Sequence, residues 1–347
     1  MTIAPDGGWL ARLSDPAGPN TTWFPEPLPA NDVGRLIALV DRAGQHNVRP
    51  ALARNLKQQL ERDPEAMLAG DAETIGRSAA HMLEQAEDLR LADMVRAALL
   101  ADIADRIMAE VNAQGIPAVL VKGPDFAISA YGGLHARTFG DIDLLVRPDA
   151  QQPMGEVLGR AGFTPVPPSA KRTSHTERGW VRPDPHGGNT LVEVHTDIVH
   201  APELRAGQTL SYDLYADPEY GGVTPAARLV LAALHGATSH LFGRLQYVVD
   251  GLMIARMGVD PDELAARAKR SKATLATATM LRLAAEIYGC PASRTLLDTL
   301  GPVPWQRVER RLITAGMVIA AKDTHRWRFL PQRHVYRRLL AAQASAA

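Results

Sequence analysis

The chain has 347 residues, with 38 Lys and Arg against 38 Asp and Glu, so its formal net charge is zero. Hydrophobic residues make up 46% and charged residues 22%, which excludes wholesale disorder and leaves ample material for a core. The charge balance argues against a protein that coats nucleic acid or anionic lipid, because both rely on excess positive charge.

At roughly 100–200 residues per domain, two or three domains are expected. The single Cys290 can form neither an internal disulfide nor a cysteine-based metal cluster. No apolar run approaches the ~18–20 residues of a membrane span, and residues 1–30 lack a basic start followed by an apolar block. The expectation is a soluble, cytoplasmic protein with neither membrane nor nucleic acid as a partner. Gly7, Gly8, Pro16, Pro19, Pro25, Glu26 and Pro27 mark residues 1–30 as an irregular arm.

Helical spacing governs residues 31–115. Val33, Leu36, Ile37, Leu39 and Val40 form one run, and Leu52 to Leu60 a second. Leu91, Met94, Val95, Ala98, Leu99, Ile103, Ile107 and Val111 place one broad apolar face on a helix from Leu89 to Val111. Gly115 and Pro117 end it.

From 116 to 215 the period changes. Ala118 to Val121 reads as a short buried strand. Gly123-Pro124 leads into a helix over Asp125–Tyr131. Phe139 to Val146 is a strand closed by Pro148-Asp149, and a helix near Glu156–Ala161 ends at Gly162. The Pro185-His186-Gly187-Gly188-Asn189 turn joins a strand around Trp180 to one over Thr190–Ile198. Helices return over 216–347, at Ala226–Leu241, Leu245–Met257 and Leu264–Tyr288.

Side chains alternate across a strand, so Asp141 and Asp143 project from one face, with Ile142 and Leu144 on the other. Two carboxylates that close repel each other, and a divalent ion resolves the conflict. Exposure at a strand end would resolve it too, although the apolar Leu144-Leu145-Val146 speaks against a wholly exposed strand. In Leu191 to Asp197 the positions of Glu193, His195 and Asp197 share a face, while Val192 and Val194 face the core. Glu193 thus offers a third carboxylate from a second strand. Such a set suits two metal ions ~3.5–4 Å apart in phosphoryl transfer.

Val121-Lys122-Gly123, then Arg137, then Gly140 to Val146 with both aspartates, then Val192-Glu193-Val194-His195, resembles a bacterial nucleotidyltransferase family of the DNA polymerase β superfold. The later His235, His240, Arg244-Leu245 and Asp250 resemble that family's helical C-terminal half. Together these motifs lie in roughly residues 90–260. The chain departs from the wider superfamily in having Lys122-Gly123 where Gly-Ser is usual, and in the longer gap of 18 positions from Gly123 to Asp141.

The resemblance implies an α+β fold: a small mixed sheet of polymerase β-like topology over 116–215, flanked by helical regions at 31–115 and 216–347. It implies transfer of an NMP from a nucleoside triphosphate to an acceptor hydroxyl or phosphate, with release of pyrophosphate. Asp141, Asp143 and Glu193 would hold two Mg²⁺ ions, with Mn²⁺ as a substitute. Lys122, Gly123, Arg137 and Gly140 would meet the nucleotide.

His195 can orient a carboxylate, contact substrate or hydrogen-bond within the sheet. His240 and Arg244, four apart, share a helix face and join His195 as candidate substrate contacts. His235 and His240, five apart, diverge by about 140° on an α-helix and make a poor metal pair. Asp250 is read as pairing with a cation or capping a helix within the helical domain, ahead of a role in the site.

Two other readings compete. One is a DxD glycosyltransferase using a sugar nucleotide; the other is a catalytically inactive nucleotide-binding protein. Arg307, Arg310, Arg311, Lys322, Arg326, Arg328, Arg333, Arg337 and Arg338, interleaved with Trp305, Trp327, Phe329 and Tyr336, read as a solvated face packed on apolar stems.

Overall fold

The computed structural model describes residues 5–167, 176–184, 188–205, 207–320 and 329–346. The arm expected to be irregular contains helix α1 (Pro5–Leu13). Trp9, Leu10 and Leu13 on it are buried in the main core, and that tertiary burial outweighs the poor propensity of Gly7 and Gly8. Strand β1 (Leu28–Pro29) pairs in parallel with β2 (Leu68–Ala69). Between them lie α2 (Val33–Gln45), capped by the Asp32 carboxylate on the Arg35 N–H, and α3 (Arg49–Arg62).

The helix expected over Leu89–Val111 is the second half of α4 (Ala72–Ala113), 42 residues long and about 63 Å at 1.5 Å per residue. Its first half buries Ile75, Met82 and Ala86 in the main core. Its second half buries Leu100, Ile103, Ile107 and Val111 in a second core on the sheet. Leu91 and Val95, expected on the buried face, fall between the two cores and are 41% and 66% exposed.

The fold is mixed α+β. Strand β3 (Ala118–Val121), helix α5 (Gly123–Ser129), strand β4 (Ile142–Val146), helix α6 (Gln151–Arg160) and strands β5 (Thr164–Pro165), β6 (Glu177–Pro183) and β7 (Asn189–His195) follow in turn. The sheet order is β3-β4-β7-β6-β5, with β4 and β7 parallel and the other neighbours antiparallel. The expected hairpin is β6 with β7, although 185–187 of its turn, like Ser174-His175, lie outside the described residues.

Register sets the two faces. Ile142, Leu144, Val146, Val192 and Val194 pack with the second half of α4 and with Met154, Val157 and Leu158 of α6. The opposite face carries Val121, Asp143, Leu145, Glu193 and His195, and its Val121 and Leu145 join the helical core. The acids therefore lie on the side of the sheet that meets the helices.

Those helices are α7 (Pro202–Arg205), α8 (Tyr212–Tyr215), α9 (Pro225–Leu234), α10 (Leu245–Ala255), α11 (Pro261–Arg270), α12 (Thr274–Tyr288), α13 (Pro291–Thr299), α14 (Gln306–Leu312), α15 (Ala315–Ile319) and α16 (Leu330–Ala346). The single helix expected over Leu264–Tyr288 is split into α11 and α12 at Lys272, whose φ is +49°. One hydrophobic core joins α1–α3 to α9–α12, so the N- and C-terminal helices pack together. The arm is stitched to that core, with Ser14 Oγ 2.9 Å from the Tyr288 hydroxyl and the Asn20 amide donating to the Ile287 carbonyl at 2.6 Å. No helix among the described residues is long and apolar enough to cross a membrane.

Candidate active site

At the end of β3 the chain must turn sharply into α5. Lys122 takes φ +56° and ψ −138°, a region few side chains tolerate, and Gly123 follows at φ +26°. A Cβ on Gly123 would sit 3.5 Å from the Asp141 carbonyl and against the Phe139 ring, so the loop before β4 approaches this turn closely. The turn sends the Lys122 side chain into the sheet's acidic face.

There Asp143 lies directly opposite Glu193 on the parallel strand β7, and opposite Val121 on β3. Lys122 Nζ is 2.8 Å from Asp143 Oδ1. His195 Nε2 reaches the same oxygen at 2.8 Å and lies 4.0 Å from Glu193 Oε2. The His195, Asp143 and Lys122 side chains are 0%, 4% and 9% exposed, while Glu193 at 16% borders solvent. Asp141, just before β4, is half-buried.

The charges explain one another. Burial alone would raise the Asp143 carboxyl, but Lys122 and His195 overcome it and hold Asp143 well below the usual carboxylate range. Burial opposes the Lys122 ammonium, yet Asp143, Asp141 and Glu193 keep its pKa above the ordinary lysine value. Asp141 is raised by burial and then by Asp143. Glu193 is pushed up to about 7 by burial and by Asp143 and Glu177. The face holds more carboxylates than its one lysine neutralises, which is an environment that favours a further cation.

The donor chemistry fits a divalent ion. Ligand atoms of Asp143, Glu193 and His195 lie within 4.8 Å of one another. Two carboxylates plus Asp141 supply the oxygens that Mg²⁺ prefers.

Other sequence candidates are placed differently. Arg137, expected at phosphate, is buried and committed to Asp250 of α10, with Nε to Oδ1 at 2.7 Å and Nη2 to Oδ2 at 2.8 Å. The Tyr131 hydroxyl donates to the same Oδ1 at 2.7 Å, and Arg137 Nη1 approaches the Gly123 carbonyl at 3.4 Å. Arg137 thereby braces the Lys122-Gly123 turn against the helical wall. Gly140 is exposed and its carbonyl accepts from Arg96 at 3.1 Å. Asp197 accepts from the Val199 and Leu210 N–H groups and the Thr209 hydroxyl, a role in holding its loop.

His235 and His240, expected to diverge, come together with Nε2 atoms 3.2 Å apart. The helix from α9 continues over His235–Ser239 as a π-helix, whose i→i+5 bonding brings residues five apart onto one side. His240 then stacks on Tyr247 at 4.5 Å. His240 and Arg244 do not share a helix face, because Leu241 and Phe242 both turn the chain at φ +50° and Arg244 is the N-cap position of α10. Of the basic C-terminal stretch, Lys322, Arg326, Trp327 and Arg328 lie outside the described residues. Tyr336 and Phe329 are core residues there, which fits the expected solvated face over apolar stems.

Sequence reasoning missed Glu177 and His200. Glu177 is the register partner of His195, and His200 Nδ1 stands 3.5 Å from Glu177 Oε2. Burial and nearby cationic groups push the His200 imidazole down to about 3. Glu177 was open to discovery by extending the predicted hairpin one register step; His200 follows the strand in a loop and carried no periodic signal.

The family described as uncharacterised nucleotidyltransferase matches residues 31–289, and the chain belongs to that family. No curated protein and no solved structure matches the chain.

Proposed function

We propose that this chain moves an NMP from a nucleoside triphosphate to an acceptor hydroxyl or phosphate, releasing pyrophosphate, on a sheet of polymerase β-like topology. The observation that carries the reading is Asp143 facing Glu193 across parallel strands, with Asp141 two residues earlier. Asp141, Asp143 and Glu193 are the residues to hold Mg²⁺ or Mn²⁺. Bound there, the ions supply charge neutralisation at the phosphates and lower the pKa of an attacking oxygen.

The chain's own groups do the rest. Lys122 adds positive charge beside Asp143, where charge develops as pyrophosphate leaves. Gly123 lets the turn lie close to the loop that carries Asp141. Glu193, opposite Asp143 on the parallel strand, is the carboxylate to take the acceptor's proton, directly or through the metal. A DxD glycosyltransferase would need a nucleotide-binding α/β half before the aspartates, whereas α1–α4 with one short strand pair precede β3.

The test is calorimetric titration of ATP, CTP, GTP and UTP, with and without Mg²⁺, into the wild type and an Asp141→Asn/Asp143→Asn double variant. Mg²⁺-dependent binding of a triphosphate, lost in the double variant, is expected. Absence of Mg²⁺-dependent binding for all four nucleotides overturns the reading.

A further inference from the structure

Beside the carboxylate site stands a second donor set that nucleotide transfer does not use. Glu177 on β6, His195 at the end of β7 and His200 in the following loop place ligand atoms within 4.8 Å of one another. The two imidazole centroids are 4.9 Å apart.

The hydrogen bonding around these rings is incomplete on one side. Nδ1 of His195 and Nδ1 of His200 are both buried atoms without a hydrogen-bond partner among the described residues. The His195 side chain is 0% exposed, so bulk solvent does not reach it. Leaving a buried polar atom unpaired is unfavourable, and here two such atoms occur on neighbouring rings. His200 Nδ1 lies 3.5 Å from Glu177 Oε2 without forming an aligned hydrogen bond.

The far side of His195 is fully ordered. His195 Nε2 is 2.8 Å from Asp143 Oδ1, and the ring nitrogen that donates to a carboxylate is the one that carries the imidazole's proton. A neutral imidazole protonated at Nε2 presents a lone pair at Nδ1. A carboxylate that orients a histidine through one nitrogen while the other nitrogen binds metal is a recurrent arrangement at transition-metal sites.

We propose that Glu177, His195 and His200 form a site for a transition ion of the Zn²⁺ class, distinct from the Asp141/Asp143/Glu193 site and coupled to it through the His195–Asp143 hydrogen bond. Two imidazoles and one carboxylate match the ligand types such an ion selects over Mg²⁺. Occupancy would fix the His195 ring, and with it the Asp143 oxygen that Lys122 also holds. The ion would also pin the loop bearing His200 to β6.

The experiment uses the full chain stripped of metal and titrated with Co²⁺ as a coloured substitute for Zn²⁺, followed by visible absorption. One equivalent of Co²⁺ with a ligand-field band, displaced by Zn²⁺ but not by Mg²⁺, is the expected result. His200→Gln and Glu177→Gln, each checked for an unchanged circular dichroism spectrum and melting curve, should each weaken Co²⁺ by about 100-fold. Asp141→Asn should leave the band in place.

Absence of a band overturns the site. So does a band that persists in both the His200 and Glu177 variants, or one lost in Asp141→Asn, since the ion then sits among the catalytic carboxylates. None of these results bears on Mg²⁺-dependent triphosphate binding, which is read separately.

Discussion

Arg137 and Asp250 are 113 residues apart in the chain and meet as a buried bidentate ion pair at 2.7 and 2.8 Å. Arg137 belongs to the loop before β4 and Asp250 to α10, so the pair joins the sheet that carries the acids to the helical wall facing them. Burial opposes the guanidinium charge, and Asp250 restores it, holding the Arg137 pKa above its ordinary value.

Removing one partner therefore strands the other in a low-dielectric interior. Asp250→Ala should destabilise the protein by about 3–5 kcal/mol, because the bare guanidinium costs more than the pair gains. The apolar double variant Arg137→Met/Asp250→Leu should recover most of that loss. Denaturant unfolding of the three proteins checks this; a single variant as stable as wild type contradicts the brace.

The neighbour of Asp250 offers a second test of the same wall. Gly251 is buried where α10 crosses α12, and a Cβ on it would run into the Met280 side chain. Alanine is intrinsically the better helix former by about 1 kcal/mol, so a free surface would reward Gly251→Ala. Met280 is 0% exposed and the added Cβ would meet its Cγ and Sδ rather than its terminal methyl, so overpacking wins, at a net cost of about 1–2 kcal/mol. Adding Met280→Ala should cost less than the sum of the two single changes, a coupling that a double-mutant cycle measures directly.

Lys122 combines charge with backbone strain, and two substitutions separate them. Lys122→Met keeps the stem and the positive φ but leaves Asp143 with His195 alone. Mg²⁺-dependent triphosphate turnover should fall by about 10²–10³-fold, the range seen when one charge-stabilising donor is removed. Lys122→Gly should be equally slow yet about 1 kcal/mol more stable than Lys122→Met, since glycine accepts φ +56° without cost. Turnover by Lys122→Met at the wild-type rate would remove the lysine from the site.

These residues differ in how far the sequence exposed them. The shared face of Asp143 and Glu193 was legible because strand alternation is a local rule and two short runs were enough to place both side chains; Asp141 falls one residue before β4, where alternation no longer applies. Lys122 was legible as a residue at a strand end, but its burial depends on a turn conformation that residue type does not encode. The partner of Arg137 comes from a helix more than a hundred residues later, and no local period points to it. The meeting of His235 with His240 turned on a single turn of π-helix, where the 3.6-residue rule fails. The arm looked irregular because its Gly and Pro content was read without the core that α1 covers. Leu91 and Val95 followed a continuous apolar stripe, and only the gap between two cores leaves them exposed.

Glu193 gives a pH dependence whose sign is fixed. Its folded pKa of about 7 lies above the ordinary 4.5, so the folded metal-free chain holds this proton more tightly than the unfolded chain does. Its unfavourable contribution is absent below pH ~4.5, grows as pH rises, and is complete once pH passes about 7. The shift corresponds to at most about 3 kcal/mol for a side chain 16% exposed. In chelator, wild type should lose stability relative to Glu193→Gln between pH 4.5 and 7.5, measured as the difference between their unfolding free energies. Addition of Mn²⁺ should reverse the trend in wild type alone, because the ion binds the ionised carboxylate and its stabilisation is largest at the upper end of that range. A stability difference that stays flat across the range would place Glu193 in a solvated, unperturbed setting.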